Sequence, residues 1–184
     1  MNRKFNIYLL GLLGIVSVMF ACNKPPIEPK PDPVEQLPEA TQEGKNTFGC
    51  YINGEPFVPR VDFTIGGPIA IWAGFNEETR LFSTQGTRET FDDKFEDVRF
   101  KLYITDSIGE YNMHSVTDEY RGYVGYGTIC SYYHDTLNYG LVTITHLDEA
   151  LDIVSGTFEI TLVNPDCATN TIMEITDGRF DLRY

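Results

Sequence analysis

The stretch Glu96-Asp97-Val98-Arg99-Phe100-Lys101-Leu102-Tyr103-Ile104-Thr105 alternates with a period of two. Val98, Phe100, Leu102 and Ile104 point one way, and Arg99, Lys101 and Tyr103 point the other. That is a strand with one buried face and one wet face. The pattern repeats on both sides. Residues 141–147 set Val142 and Ile144 against Thr143 and Thr145, and residues 157–163 turn Phe158, Ile160 and Leu162 inward. Residues 47–53, 55–58, 69–75, 81–85, 110–114, 171–176 and 179–184 supply further strands. Turn signals fall between them: Asn53-Gly54, Asp148-Glu149-Ala150, and Asp177-Gly178, which reads either as a tight hairpin or as a bulge in one long strand. The nearest approach to a helix is residues 89–96, where Phe91 and Phe95 lie four apart, enough for one or two turns. Short alternating strands without helices predict an all-β fold, an antiparallel two-sheet β-sandwich. A closed or flattened lipocalin-like β-barrel is the alternative.

The amino-terminal stretch has a different character. Arg3 and Lys4 precede an apolar run from Ile7 to Phe20, which ends Met19-Phe20-Ala21-Cys22. A basic start, a run shorter than the roughly 20 residues a bilayer span needs, and a small residue before the break read as a secretory signal. Cysteine directly after Ala21 makes it similar to a bacterial lipoprotein signal, with cleavage between Ala21 and Cys22 and acyl chains on Cys22. Several acyl chains at about 0.8 kcal/mol per buried methylene anchor a protein stably. Six prolines then fall between Pro25 and Pro38 among Glu and Lys. Such a segment favours extended geometry and reaches up to ~60 Å at about 3.1 Å per residue. The expected organisation is a signal peptide over 1–21, a lipidated Cys22 with a proline-rich disordered tether over 22–46, and one β-domain over 47–184. The expected location is the cell envelope, as an outer-membrane lipoprotein, with the face of the membrane left open.

The chain carries 14 Lys and Arg against 27 Asp and Glu, a formal charge of −13. Loss of Arg3 and Lys4 with the signal would leave 12 cations and a charge of −15. No cationic face for phosphates is implied, which excludes nucleic acid as partner. The membrane contact is through lipid on Cys22, because an acidic domain is repelled by an anionic surface. Beyond Cys22 stand Cys50, Cys130 and Cys167. Cys50 shares a face with Phe48 and Ile52, the pattern of a buried thiol. Cys130 and Cys167, near strand ends, form the candidate disulfide in an oxidising compartment. No CxxC spacing accompanies a nearby histidine, so no metal site and no cofactor are expected.

Two groups of residues near the ends of the domain resemble a widespread family of lipoproteins from Bacteroides-type bacteria. The first is Thr41-Gln42-Glu43-Gly44-Lys45-Asn46-Thr47-Phe48-Gly49-Cys50 with Asn53-Gly54 and Phe57-Val58-Pro59. The second is Ser155-Gly156-Thr157-Phe158-Glu159, Asn164-Pro165-Asp166-Cys167 and Ile175-Thr176-Asp177-Gly178-Arg179-Phe180-Asp181. Family members place Trp where this chain has Phe57. The family is described as a domain of unknown function, so the resemblance implies an exported all-β lipoprotein and no catalytic residues. In physical terms Gly54 and Gly178 suit turns, Phe158 and Phe180 the core, and Asp181 could pair with Arg183 on one strand face.

No catalytic constellation emerges. His114, His134 and His146 are dispersed, no G-x-S-x-G elbow occurs, and the acid pairs sit in turns. The distinctive patch is residues 120–139, with six of the eleven tyrosines and Gly122, Gly125 and Gly127 between them. Tyrosine joins a flat apolar face to a hydroxyl, which suits interfaces and sugar rings. Tyr123, Tyr126 and Tyr132, with Trp72 as a second platform, are therefore the candidate ligand contacts. The expected role is non-catalytic: an envelope binding or structural domain with a glycan or an envelope protein as ligand. The alternative is a barrel carrying a small apolar ligand.

Overall fold

In this computed structural model the residues described are 36–62, 67–90, 95–105, 108–113, 121–126, 130–133, 140–164 and 172–184, with the backbone alone for 121–126 and Cys130. All belong to the compact unit Val34–Tyr184. The signal segment, Cys22, Cys167 and the sequence of the proposed lipid attachment lie outside the described residues.

The fold is all-β, without a helix among the described residues. Eleven strands follow in chain order: β1 Thr47–Ile52, β2 Glu55–Phe57, β3 Ile71–Asn76, β4 Leu81–Glu89, β5 Phe95–Tyr103, β6 Gly109–Asn112, β7 Arg121–Tyr126, β8 Cys130–Tyr133, β9 Gly140–Asp148, β10 Ile153–Val163 and β11 Ile172–Arg183. Hydrogen bonding traces one path, β2-β1-β11-β10-β8-β7-β5-β4-β3, with β9 on β10 and β6 on β9. The path folds over so that two antiparallel sheets face each other. Its crossing from β10 to β8 is a single pair, Val163 with Tyr133. The strands do not close into a barrel. Just past β2, Arg60 meets Arg88 of β4 through one parallel bridge, and Pro59, which has no N–H to give, stands beside it.

The alternating residues make the core. Phe48, Phe82, Phe100, Phe158 and Phe180 are all buried. Phe100 lies 5.1 Å from Phe158 and 5.7 Å from Phe180 between ring centres, and Phe48 lies 5.2 Å from Phe158. Each such ring contributes roughly 1.5–3 kcal/mol by leaving water. Cys50 is fully buried here, and burial pushes its thiol pKa up; it is a packing residue.

Asn53 and Gly54 both take positive φ, 50° and 84°, and close the β1–β2 hairpin. Asp177-Gly178 is a bulge, because β11 runs through it as one strand and the β10–β11 register shifts opposite it. There the positive φ, 50°, belongs to Asp177. Gly178 is needed for space instead: a Cβ would stand 2.5 Å from the Phe158 carbonyl oxygen. Where one or two helical turns are expected over residues 89–96, Glu89 ends β4, Phe95 starts β5, and the two are paired; residues 91–94 lie outside the described residues.

The folded domain starts earlier than residue 47. Leu37 and Pro38 lie against Gly49, where a Cβ would meet Pro38 at 2.7 Å and Leu37 at 3.3 Å. Thr41 through Lys45 are held by Asp181. The expected tether from residue 37 onward is therefore part of the domain, held by packing on Gly49 and by hydrogen bonds to Asp181.

Candidate functional site

Strand pairing assembles one row of register positions across five strands. Trp72 of β3 is paired with Gln85 of β4, Gln85 with Arg99 of β5, Arg99 with Tyr123 of β7, and Tyr123 with Tyr133 of β8. Directly paired residues share a sheet face. This face is the one opposite Phe82, Val98 and Phe100, so it is turned from the core. At about 4.8 Å per strand the row spans ~19 Å. Trp72 and Tyr133 are each 50% exposed.

The row has a polar border. Along one side run Thr87, Asp97 and Gly125; along the other, Gly74, Ser83, Lys101 and Arg121. Gln85 is fixed: its Nε2 donates to Thr87 Oγ1 at 2.9 Å and to Asp97 Oδ1 at 3.2 Å. Thr87 Oγ1 donates to the same Asp97 oxygen at 2.8 Å. With both amide hydrogens engaged, Gln85 offers its carbonyl oxygen as an acceptor. Arg99 Nη2 stands 3.5 Å from Asp97 Oδ2, and its side chain is 46% exposed.

Gly74 shapes the aromatic end. A Cβ there would lie 3.0 and 3.1 Å from the six-membered ring of Trp72. The indole lies close over the bare backbone of Gly74 and is half exposed. Such a ring is a stacking platform with little rotamer freedom left to lose.

Of the expected contacts, Trp72 and Tyr123 fall in this row. Tyr132 does not: it is 4% exposed and belongs to the core. Pairing of Tyr123 with Tyr133, and not with Tyr132, turns Tyr132 inward, since a shift of one residue exchanges faces. Tyr126 holds a position opposite Glu96, a buried residue, three positions along β7 from Tyr123. The three register positions therefore do not share one face. Gln85, Arg99 and Tyr133 were missed. Arg99 was already assigned to a wet face by alternation; the missing information was which strands lie beside it. Of the candidate disulfide, Cys167 and the side chain of Cys130 lie outside the described residues.

Two other polar groupings are internal. Arg88 donates through Nε and Nη2 to Glu96 Oε2 at 3.0 and 2.6 Å, and through Nη1 to the Pro56 carbonyl at 2.7 Å. Asp181, buried on β11, accepts from Ser155 Oγ at 2.7 Å and from the Gly44 amide at 2.8 Å. Burial by itself would raise the Asp181 pKa, but hydrogen bonds from Thr41, Ser155, Lys45 and Gly44 outweigh it and bring it down to about 2. Both groupings are closed by their own partners and serve the fold. No cluster of three His, Cys, Asp or Glu placed for a metal occurs among the described residues.

The chain matches no family model, no curated protein and no solved structure.

Proposed function

We propose that this chain is an exported, lipid-anchored, non-catalytic domain that binds an extended glycan across the Trp72–Gln85–Arg99–Tyr123–Tyr133 row. The carrying observation is the row itself: two half-exposed aromatic rings at its ends, with a fixed amide and a half-exposed arginine between them. Flat ring faces suit the apolar C–H faces of sugars, and planar polar groups suit their hydroxyls. The anchor rests on Ala21-Cys22 after the apolar run, and the motif resemblance to Bacteroides-type lipoproteins supports an outer-membrane address. The lipid supplies the membrane contact, because the acidic domain would be repelled by anionic headgroups.

The test is calorimetric titration of the chain with a panel of soluble polysaccharides and oligosaccharides. Trp72→Ala and Tyr133→Ala should each weaken binding about tenfold, which is about 1.4 kcal/mol. Ile172→Ser, an exposed change on β11, should leave binding intact. Glycan binding that ignores both aromatic substitutions, or no glycan binding at all, removes this reading.

A further inference from the structure

Among the described residues the strand path ends in edges with no further strand beside them, and these edges are unequal. β2 is three residues long and contains Glu55 and Pro56; β6 is four residues long and contains Glu110. Short length, charge and proline are the usual defences of an edge. β3 has none of them. It is six residues of Ile-Trp-Ala-Gly-Phe-Asn, and no charged residue stands between Asp62 and Glu77 among the described residues.

The backbone of β3 is half engaged. Thr87 N donates to Ala70 O at 2.7 Å, which fixes the phase of the β3–β4 ladder: Trp72, Gly74 and Asn76 bond toward β4. The N–H and C=O groups of Ile71, Ala73 and Phe75 point away from the sheet, and none has a partner among the described residues. Their side chains lie on the core side yet are only partly buried.

These outward groups are symmetric about Ala73. We infer that the β3 edge pairs antiparallel with the β3 edge of a second copy, with the two-fold axis at Ala73. Ile71 of each copy then exchanges hydrogen bonds with Phe75 of the other, and Ala73 with Ala73, giving six bonds. On the core side Ile71 packs against Phe75 of the second copy and covers apolar surface that one copy leaves half open. On the outer face Trp72 stands opposite Gly74 of the second copy, over which that copy's own Trp72 indole lies, so the two indoles come side by side. No charge faces a like charge along the shared strand, which matters for a chain of net charge −13. The isologous contact closes on itself and does not propagate into a filament. It also sets the two outer rows edge to edge as one broader platform.

The full chain is tested by site-directed cross-linking under mild oxidation. Ala73→Cys places two thiols on a hydrogen-bonded pair about 5.5 Å apart between Cα atoms, within disulfide reach. Phe75→Cys places them on positions four residues out of register, beyond reach. A disulfide-linked dimer for Ala73→Cys, absent from Phe75→Cys and from the unsubstituted chain, is expected. A mixture of Ile71→Cys and Phe75→Cys chains should give the mixed dimer. Ala73→Pro removes only an outward N–H and should abolish concentration-dependent dimer mass in sedimentation while the circular dichroism is retained; if it unfolds, Ala73→Lys makes the same test by charge. Failure of Ala73→Cys to cross-link, or equal cross-linking at 73 and 75, overturns the inference whatever the glycan titrations show.

Discussion

Asp181 and Arg183 hold the same loop by opposite polarities. The Asp181 carboxylate accepts from the amides of Glu43, Gly44 and Lys45 at 3.1, 2.8 and 3.1 Å. The Arg183 guanidinium donates to the carbonyls of Gly44 and Glu43 at 3.2 and 3.4 Å. Asp181 is fully buried and Arg183 exposed, so the two act on the loop and not on each other as an ion pair. The last strand thereby fastens the segment that precedes the first.

The clamp makes stability pH-dependent at the acid end. The Asp181 carboxyl titrates at about 2 in the fold against an ordinary 3.8. A depressed folded pKa means that folding favours the ionised form. Its contribution, roughly 2 kcal/mol, is complete above about pH 4 and lost as pH falls through 2. Denaturant titrations from pH 2 to 7 should show this slope. Asp181→Asn should lower stability at pH 7 and flatten the curve below pH 4; an unchanged slope would show that other carboxylates set it.

Truncation isolates the same clamp from the opposite side. A chain beginning at Thr47 loses the donors of Thr41, Glu43, Gly44 and Lys45 and leaves Asp181 with Ser155. A buried charge stripped of most partners costs about 3 kcal/mol. Thermal unfolding should fall by ~10 °C relative to a chain beginning at Gln36, for a domain of this size. Equal melting temperatures would return the segment to the status of a passive tether.

Breaking the internal ion pair is the third case. Glu96 is buried, Arg88 stacks its guanidinium 5.0 Å over the Phe57 ring, and cross-strand pairing aligns the two side chains. Removing one partner strands the other. Glu96→Leu and Arg88→Met should each cost about 3 kcal/mol or more, and the double change Arg88→Met with Glu96→Leu less than the two together. A double-mutant cycle read by chemical denaturation gives the coupling; a value near zero would mean that the pair contributes only shape.

The contrast between what was legible in sequence and what was not follows range. Residues 96–105 declared their two faces because alternation is written within ten residues. Asn53-Gly54 declared its hairpin because both residues tolerate positive φ. The row joining Trp72 to Tyr133 could not be read in the same way, since it depends on which strands lie side by side and in what register. Tyr132 was placed outward for want of one residue of register. The attachment of Thr41–Lys45 was equally hidden: its partner is Asp181, some 140 positions away, and apart from the Thr41 hydroxyl the groups it holds are backbone amides that carry no sequence signal.

Two glycines expected to do one job do different ones, and substitution separates them. Gly54 sits in the hairpin at φ 84° with nothing within 4 Å of a would-be Cβ. Alanine there meets only backbone strain, about 1 kcal/mol. Gly178 has no positive φ, but a Cβ would lie 2.5 Å from both the Phe158 carbonyl oxygen and a Phe158 ring carbon. Neither can yield easily, because that oxygen belongs to the β10 backbone and that ring is packed against Phe48, Phe100 and Phe180. Overpacking a core contact costs roughly 1–3 kcal/mol, and here the backbone must move as well. Gly178→Ala should therefore lower the denaturation midpoint at least twice as far as Gly54→Ala. The reverse order would show that the bulge at Asp177 flexes and that the β10–β11 pairing is looser than its register implies.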